Sequence, residues 1–340
     1  MIGLGLYHLL RKKGLGFETA GVTAAAVTVS YGVLTGGSAS VVRAVMMVCL
    51  QFLADRLGRT YDTLSAAAAA ALFLLIRSPA CLFQSGFQLS FGAVFAIGSV
   101  GPRLVRGLEG SGRKEQRHPV WSRVVSISIS IQIVTYPMIA YHFFEYPLYG
   151  TLLNLLVVPL AGYVLGSGAA GIILGAAAPW LGELAIGTGH YILAFYQWLC
   201  LTFQKLPGAV RIVGRPEIWQ ILLYGGMWLA VLAGMEYRER KRRARRMGIG
   251  GMQAGRILAG KYLLLAAALI LGTVILRPLP VQGMSAVFLD VGQGDGVVLR
   301  TRDAVILTDG GSSDNKRLGK QVLEPFLKSQ AVRKIDYAIV

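Results

Sequence analysis

The sequence predicts an all-α membrane protein: a polytopic helical bundle over residues 1–278, followed by a short α/β segment over residues 279–340. Three observations predict it. Of the 340 residues, 54% are hydrophobic and only 15% are charged, against roughly 25% charged in soluble domains. The apolar residues come in long runs separated by Lys/Arg clusters, chiefly Arg103–Arg123 and Arg238–Arg246. Most of the net charge of +17 lies in those clusters, the positive-inside pattern of multi-spanning proteins. From Met284 to Val340, eight Lys/Arg stand against seven Asp/Glu, so the tail is nearly neutral. Net charge therefore carries no argument for nucleic-acid binding.

In chain order, Met1 to Leu10 reads as the end of a span closed by Arg11-Lys12-Lys13. Phe17 to Leu34 is the next span and returns at the Thr35–Ser40 turn, where Ser40 is expected to cap the helix that follows. Val41 to Leu53 is apolar except for Arg43, and Asp55–Arg59 forms a second basic loop. Thr63 to Ile76 is alanine-rich, a composition that lets helices approach closely in lipid. Cys81 to Val100 follows, after Arg77-Ser78-Pro79. In Val124 to Phe143, the stretch Ser126–Ile131 alternates with period two, which alone says strand. An open strand cannot cross hydrocarbon, so a helix kinked near Pro137 is expected. Tyr149 to Ala178 reads either as one tilted span or as two shorter broken helices. Leu184–Phe203, Ile218–Met235 and Ile257–Leu276 complete the bundle, and Arg277-Pro278 ends it. Counting crossings from Arg238–Arg246 on the cytoplasmic side puts the tail on the far side. Counting from Arg11–Lys13 agrees if Tyr149–Ala178 crosses once, while the three basic residues of Lys205–Arg215 run against it.

Arg43 is the residue that needs explaining. An arginine at the centre of a span costs about 2.5–3.5 kcal/mol even on the lenient insertion scale. It is kept where it faces a wet interior, finds a partner, or snorkels to head groups. Gln84 and Gln88 are expected on one helix face, with Ser85 and Ser90 nearby and Phe87, Phe91 and Phe95 around them. They read either as interhelical glue or as a polar lining beside aromatic surfaces, suited to single-stranded nucleic acid. Asn154 and Pro159 read as a packed kink or as a helix break in a substrate path. The glycines around Gly166–Gly171 read as a helix-packing surface. The three cysteines and four histidines show no metal or disulfide spacing.

In the tail, Ser285–Val291 reads as a strand, Gly292–Gly296 as a tight turn, and Val297–Thr301 as a second strand. Ala304–Thr308 is a third, ending at Asp309-Gly310-Gly311. Leu318–Ser329 is a short helix and Ile335–Val340 begins another strand. The pattern is a meander followed by a β-α-β step. By itself, Gly292–Gly296 with Asp290 and Asp295 is no more than a hairpin turn.

Several stretches together carry a resemblance: T-G-x-S-x-S-V-x-R-A-x-x-M (Thr35–Met47), L-G-R-x-x-D (Leu57–Asp62), G-F-Q-L-S-F-x-A-V (Gly86–Val94), N-L-L-x-V-P-L (Asn154–Leu160), F-L-D-V-G-Q-G-D (Phe288–Asp295) and L-T-D-G-G (Leu307–Gly311). In this order they resemble the ComEC family of bacterial competence proteins. The resemblance implies a multi-pass protein of the bacterial inner membrane that passes one DNA strand into the cytoplasm. It implies single-stranded DNA, the lipid bilayer, other DNA-uptake proteins and a second copy of the chain as partners. Arg43, Gln84, Gln88 and Asn154 then become candidates for the substrate path. Asp290, Gln293, Gly294, Asp295 and Asp309 correspond to the opening of a metallo-β-lactamase-like domain, expected here in truncated form. The family's H-x-H-x-D-H metal motif would follow a strand like Ile335–Val340, and its N-terminal soluble domain would precede Met1. Two other functions remain open: a membrane-tethered metal-dependent hydrolase, or a small-solute transporter. No cofactor is expected in this chain, zinc or another divalent metal belonging to the complete domain. The tail has no histidine and no cysteine, so the chain itself is expected to bind no stoichiometric zinc.

Overall fold

The computed structural model describes residues 2–109, 120–245, 254–279, 283–311 and 317–339. The elements run, in chain order, α1 (Ile2–Lys12), α2 (Phe17–Leu34), α3 (Ala39–Arg56), α4 (Thr63–Arg77) and α5 (Ser85–Phe95), then α6 (Gly101–Glu109) and α7 (Val120–Phe143). A short strand β1 (Glu145–Pro147) precedes the helices α8 (Gly150–Ala177) and α9 (Pro179–Gln204), and β2 (Val210–Ile212) follows them. Then come α10 (Ile218–Arg245), α11 (Ala254–Ile275), β3 (Ser285–Phe288), β4 (Gly296–Arg300), β5 (Val305–Gly310), α12 (Glu324–Ser329) and β6 (Tyr337–Ile339). The chain forms two compact units, one of residues 1–98 and 147–209, the other of residues 99–146 and 210–340.

Four helical stretches among the described residues are long and apolar enough to cross a membrane: Phe17–Leu34, Val124–Phe143, Leu152–Ala177 and Ile218–Tyr237. Thr63–Arg77 and Leu263–Ile275 are apolar but shorter. At 1.5 Å per residue the 15 residues of α4 reach only about 22 Å, less than a hydrocarbon core of about 30 Å. The expected span Cys81–Val100 is not one helix. Pro79–Phe83 forms a 3-10 turn, α5 has 11 residues, and Ala96–Val100 is a π turn. By contrast, Tyr149–Ala178 is a single helix with Pro159 inside it, which decides between the two readings of that run.

In the first unit, α1, α2 and α3 meet through Tyr7, Ala20, Ala24 and Phe52. The hairpin of α8 and α9 closes through small residues. A Cβ on Gly182 would stand 2.6 Å from the Gly175 Cα and 3.0 Å from the Gly171 carbonyl oxygen. Gly171 takes part in the packing expected of its stretch, while Gly166 and Gly168 have open space beside them. The base of the hairpin is tied by the Leu148 N–H to the Ala209 carbonyl and by the Tyr149 hydroxyl to the Pro207 carbonyl.

In the second unit, the Ser/Ile alternation is helical, as lipid requires. The Ser130 hydroxyl donates to the Ser126 carbonyl and Thr135 to Ile131, so these hydroxyls are satisfied inside the helix. Pro137 has no N–H for the Ile133 carbonyl, and the Tyr224 hydroxyl from α10 donates to that oxygen instead. Gln220 is 2% exposed. Its amide donates to the Ile275 and Arg277 carbonyls, stopping α11 against the start of α10.

The tail belongs to this unit. Its sheet has the order β3-β4-β5-β6, antiparallel as far as β5 and then parallel, with Val287 opposite Val298, Leu299 opposite Ile306 and Leu307 opposite Ala338. The parallel step needs a crossover, supplied by a π turn at Gly319–Leu323 and by α12. The meander and β-α-β step are therefore present. Four short strands do not by themselves make a metallo-β-lactamase fold. The expected tight turn is instead the seven-residue loop 289–295, because β3 ends at Phe288 and the Leu289 N–H pairs with the Gly296 carbonyl. On α12, Lys328 Nζ lies 2.6 Å from Glu145 Oε2 and 2.8 Å from Glu324 Oε1. These two carboxylates hold the Lys328 ammonium above its usual range. The Arg215 N–H donates to the Ser329 carbonyl at 2.7 Å. The tail thus rests on the chain segments where α7 ends and α10 begins.

The close approach at Gly182 gives a paired expectation. Gly182→Ala should cost about 1–3 kcal/mol, because backbone must move. Gly187→Ala, with nothing within 4 Å of its Cβ position, should be neutral or stabilising by up to about 1 kcal/mol. Thermal melts of the purified chain in detergent check the contrast.

Candidate functional site

The site is built on α3 and on what stops and restarts the chain around it. The residues of L-G-R-x-x-D explain themselves. Gly58 sits at φ 62° just past α3, a conformation glycine adopts without a Cβ clash. The Arg59 N–H donates to Ala54 and the Gly58 N–H to Asp55, closing the helix end. Asp62 then caps α4: its Oδ2 accepts from the Ser65 N–H at 2.8 Å and from the Ser65 hydroxyl at 2.6 Å. Those bonds hold the Asp62 carboxyl below its usual range. This motif is punctuation between two helices.

Arg43 lies one turn inside α3, half-buried. Its Nε donates to the Ser90 hydroxyl on α5 at 2.6 Å, and its Nη1 lies 3.6 Å from the Met47 sulfur. The guanidinium carbon stands 5.8 Å from the centre of the Phe91 ring, within cation–π range. Phe91 is in turn 4.4 Å from Phe87, centre to centre. The Ser40 hydroxyl, one turn before Arg43, donates to the Gly86 carbonyl of α5. Burial and the neighbouring Asp62 carboxylate push the Tyr61 phenol up, and the charge of Arg43 pulls it back. Beneath these groups, Leu74, Cys81 and Phe87 form an apolar base with Ala39, Val42 and Phe91 packed on it. Every partner named here is neutral, so the positive charge of Arg43 has no carboxylate beside it among the described residues.

Two expectations are corrected. Ser40 does not cap α3: the helix begins at Ala39 with Ser38 at its N-cap, and the Ser40 hydroxyl is spent on α5. Gln84 and Gln88 do not share a helix face. Gln84 stands at the N-cap of α5 with an extended backbone, ψ 134°, because Pro79 and the 3-10 turn delay the helix. Its side chain is exposed, whereas Gln88 Nε2 reaches back to the Leu82 carbonyl at 3.0 Å. Asn154 is exposed on α8, and no hydrogen bond among the described residues joins it to the Arg43 cluster. Sequence reasoning placed Ser90 and Phe91 only as neighbours of the amides. The three-residue spacing of Ser40 and Arg43, one turn on a helix, was the signal that both face the same partner.

In the tail, Asp290, Gln293, Gly294 and Asp295 are exposed along the loop 289–295. Asp309 is exposed at the end of β5 with φ 44°, and its Oδ1 accepts from the Gly311 N–H at 3.0 Å. Gly296 pairs with Gly310, so the two glycine-rich stretches meet at one end of the sheet. No group of three His, Cys, Asp or Glu suited to a metal ion occurs among the described residues, and Asp314 lies outside them.

The profile of the family described as "Competence protein" matches residues 1–238. The chain belongs to the competence protein family. ComE operon protein 3 of Bacillus subtilis (strain 168) is 22% identical over 351 residues, covering 99% of this chain and 42% of that protein. The chain thus spans about two-fifths of the length of that competence relative. No solved structure matches. The matched region holds Arg43 with every group around it, and the ComEC-type resemblance read from the motifs is borne out.

Proposed function

We propose that this competence protein forms the membrane part of a channel that admits one DNA strand to the cytoplasm, with Arg43 holding a backbone phosphate on the path. The observation that carries the reading is a fixed guanidinium with only neutral partners, set between a serine hydroxyl and an aromatic face. A phosphodiester supplies the missing negative charge, and arginine meets it with paired N–H donors. Phe91, backed by the buried Phe87, offers the kind of surface on which bases stack without regard to sequence. Ser90 acts as a positioning residue that aims the fork. Family membership supports competence and DNA uptake as the setting; the channel, the DNA partner, the inner membrane and any further uptake proteins are our reading.

A hydrolase reading has one observation in its favour, the exposed carboxylates Asp290, Asp295 and Asp309 near one end of the tail sheet. They do not amount to a zinc site. A catalytic zinc takes about three protein ligands, and the tail supplies neither histidine nor cysteine.

In the full-length protein, Arg43→Gln should lower DNA uptake on the order of tenfold, the worth of one charge-assisted hydrogen bond. Ser90→Ala should lower it less, and the membrane abundance of both should stay normal. Unchanged uptake, or uptake that falls only in step with abundance, would make Arg43 a packing residue.

We also propose that the tail stands on the extracytoplasmic side. The reading is supported by the basic run at the far end of α10 from the loop on which α12 rests. Reporter fusions after Met247 and after Ser313 should read opposite sides of the membrane. Reading the same side would reverse the assignment.

A further inference from the structure

A cavity of about 310 Å³ opens between the β4–β5 turn and the segment that leads into β6. Its charged lining is Arg300, Arg302, Arg333 and Lys334 against Asp303 and Asp336. Four basic against two acidic side chains leave an excess of two positive charges. Asp336 Oδ2 accepts from the Val305 N–H at 3.0 Å, where it fixes the edge of β5, and its Oδ1 lies 3.6 Å from Lys334 Nζ. Arg300 is tied to Gln330 at 3.3 Å. Arg302 and Arg333 make no hydrogen bond or ion pair among the described residues. Arg302 and Arg333 thus border the hollow unpaired among the described residues, with Asp303 as the remaining acid on the same rim.

The place of the cavity narrows what the anion is. Ala331, on its wall, packs against Gly214, which also lies against Pro278 where the chain leaves α11. The hollow therefore lies near the segment where the chain leaves α11. Among the described residues no aromatic side chain lines it, so these offer no platform for a base, in contrast to the surroundings of Arg43. Its arginine forks suit an oxyanion such as phosphate.

We propose that this cavity binds the phosphate headgroup of an anionic phospholipid, pinning the tail sheet to the bilayer through Arg302 and Arg333. Basic groups near an anionic surface each strengthen attachment by roughly fivefold, and arginine forks add fixed geometry. The inference does not depend on DNA as cargo, only on the helices before the tail lying in a membrane.

Lipid retained by the detergent-purified chain, measured by mass spectrometry after exchange through mixed phosphatidylglycerol and phosphatidylcholine, tests it. The native chain should retain phosphatidylglycerol preferentially, and Arg302→Gln with Arg333→Gln should cut that preference on the order of tenfold. Lys334→Gln, at a side chain 82% exposed, keeps the test open if the double variant misfolds; it should cut the preference by a smaller factor. No preference in the native chain, or the same preference in all variants, overturns the proposal. Two competitors separate the sources of phosphate. If inorganic phosphate alone gives the same thermal stabilisation as the lipid, the site takes free phosphate. If oligothymidylate binds and loses affinity in the double variant while lipid preference is unchanged, the site is for nucleic acid. Either result overturns the headgroup assignment.

Discussion

The bond from Arg43 Nε to the Ser90 hydroxyl, 2.6 Å long, is the interaction on which the first helices depend. An arginine among apolar helices has to be answered, and here the answer is a hydroxyl and a ring on α5. To bring α5 within reach, the chain must stop α3 at Gly58, restart at Asp62 and break again at Pro79 and Gln84. Each stop uses an ordinary local device: a left-handed glycine, an aspartate cap, a proline and a 3-10 turn. What remains is a charge that is held in place and paired with no carboxylate among the described residues. The pairing costs the chain one polar side chain on α5 and leaves the guanidinium aimed.

The second unit solves the opposite problem, of polar backbone with no partner. Pro137 leaves the Ile133 carbonyl without its usual donor, and Tyr224 supplies one from α10. The carbonyls where α11 ends would likewise be bare, and the buried Gln220 amide covers that of Ile275 and, just past the helix, that of Arg277. In hydrocarbon, each such group left open would cost several kcal/mol. These two side chains join α10 to its neighbours more specifically than apolar packing does. They also fix the end of the bundle against which α12 and the tail sheet rest.

Much of this was legible in the residues. The bounds of α2 follow from Phe17 to Leu34, and the serine alternation reads as helix once lipid is taken as the solvent. The tail meander follows from three short β-branched runs. What was not legible came from contacts between distant residues. Ser40 looks like a cap because a cap is a local device, but its hydroxyl goes to Gly86, 46 positions away. Gln84 and Gln88 look like one face because spacing assumes an unbroken helix, and the 3-10 turn removes that assumption. The loop before Gly296 is longer than its glycines suggest because β3 ends at Phe288, which leaves residues 289–291 in the loop.

The role given to Arg43 is tested most directly by placing a photoreactive phenylalanine analogue at Phe91 in the full-length protein and irradiating cells during uptake of labelled DNA. The incoming strand should be captured at this position, and capture should fall in the Arg43→Gln background at equal protein abundance. Crosslinks only to lipid or to the protein's own helices, with DNA uptake intact, would contradict a DNA path beside Arg43.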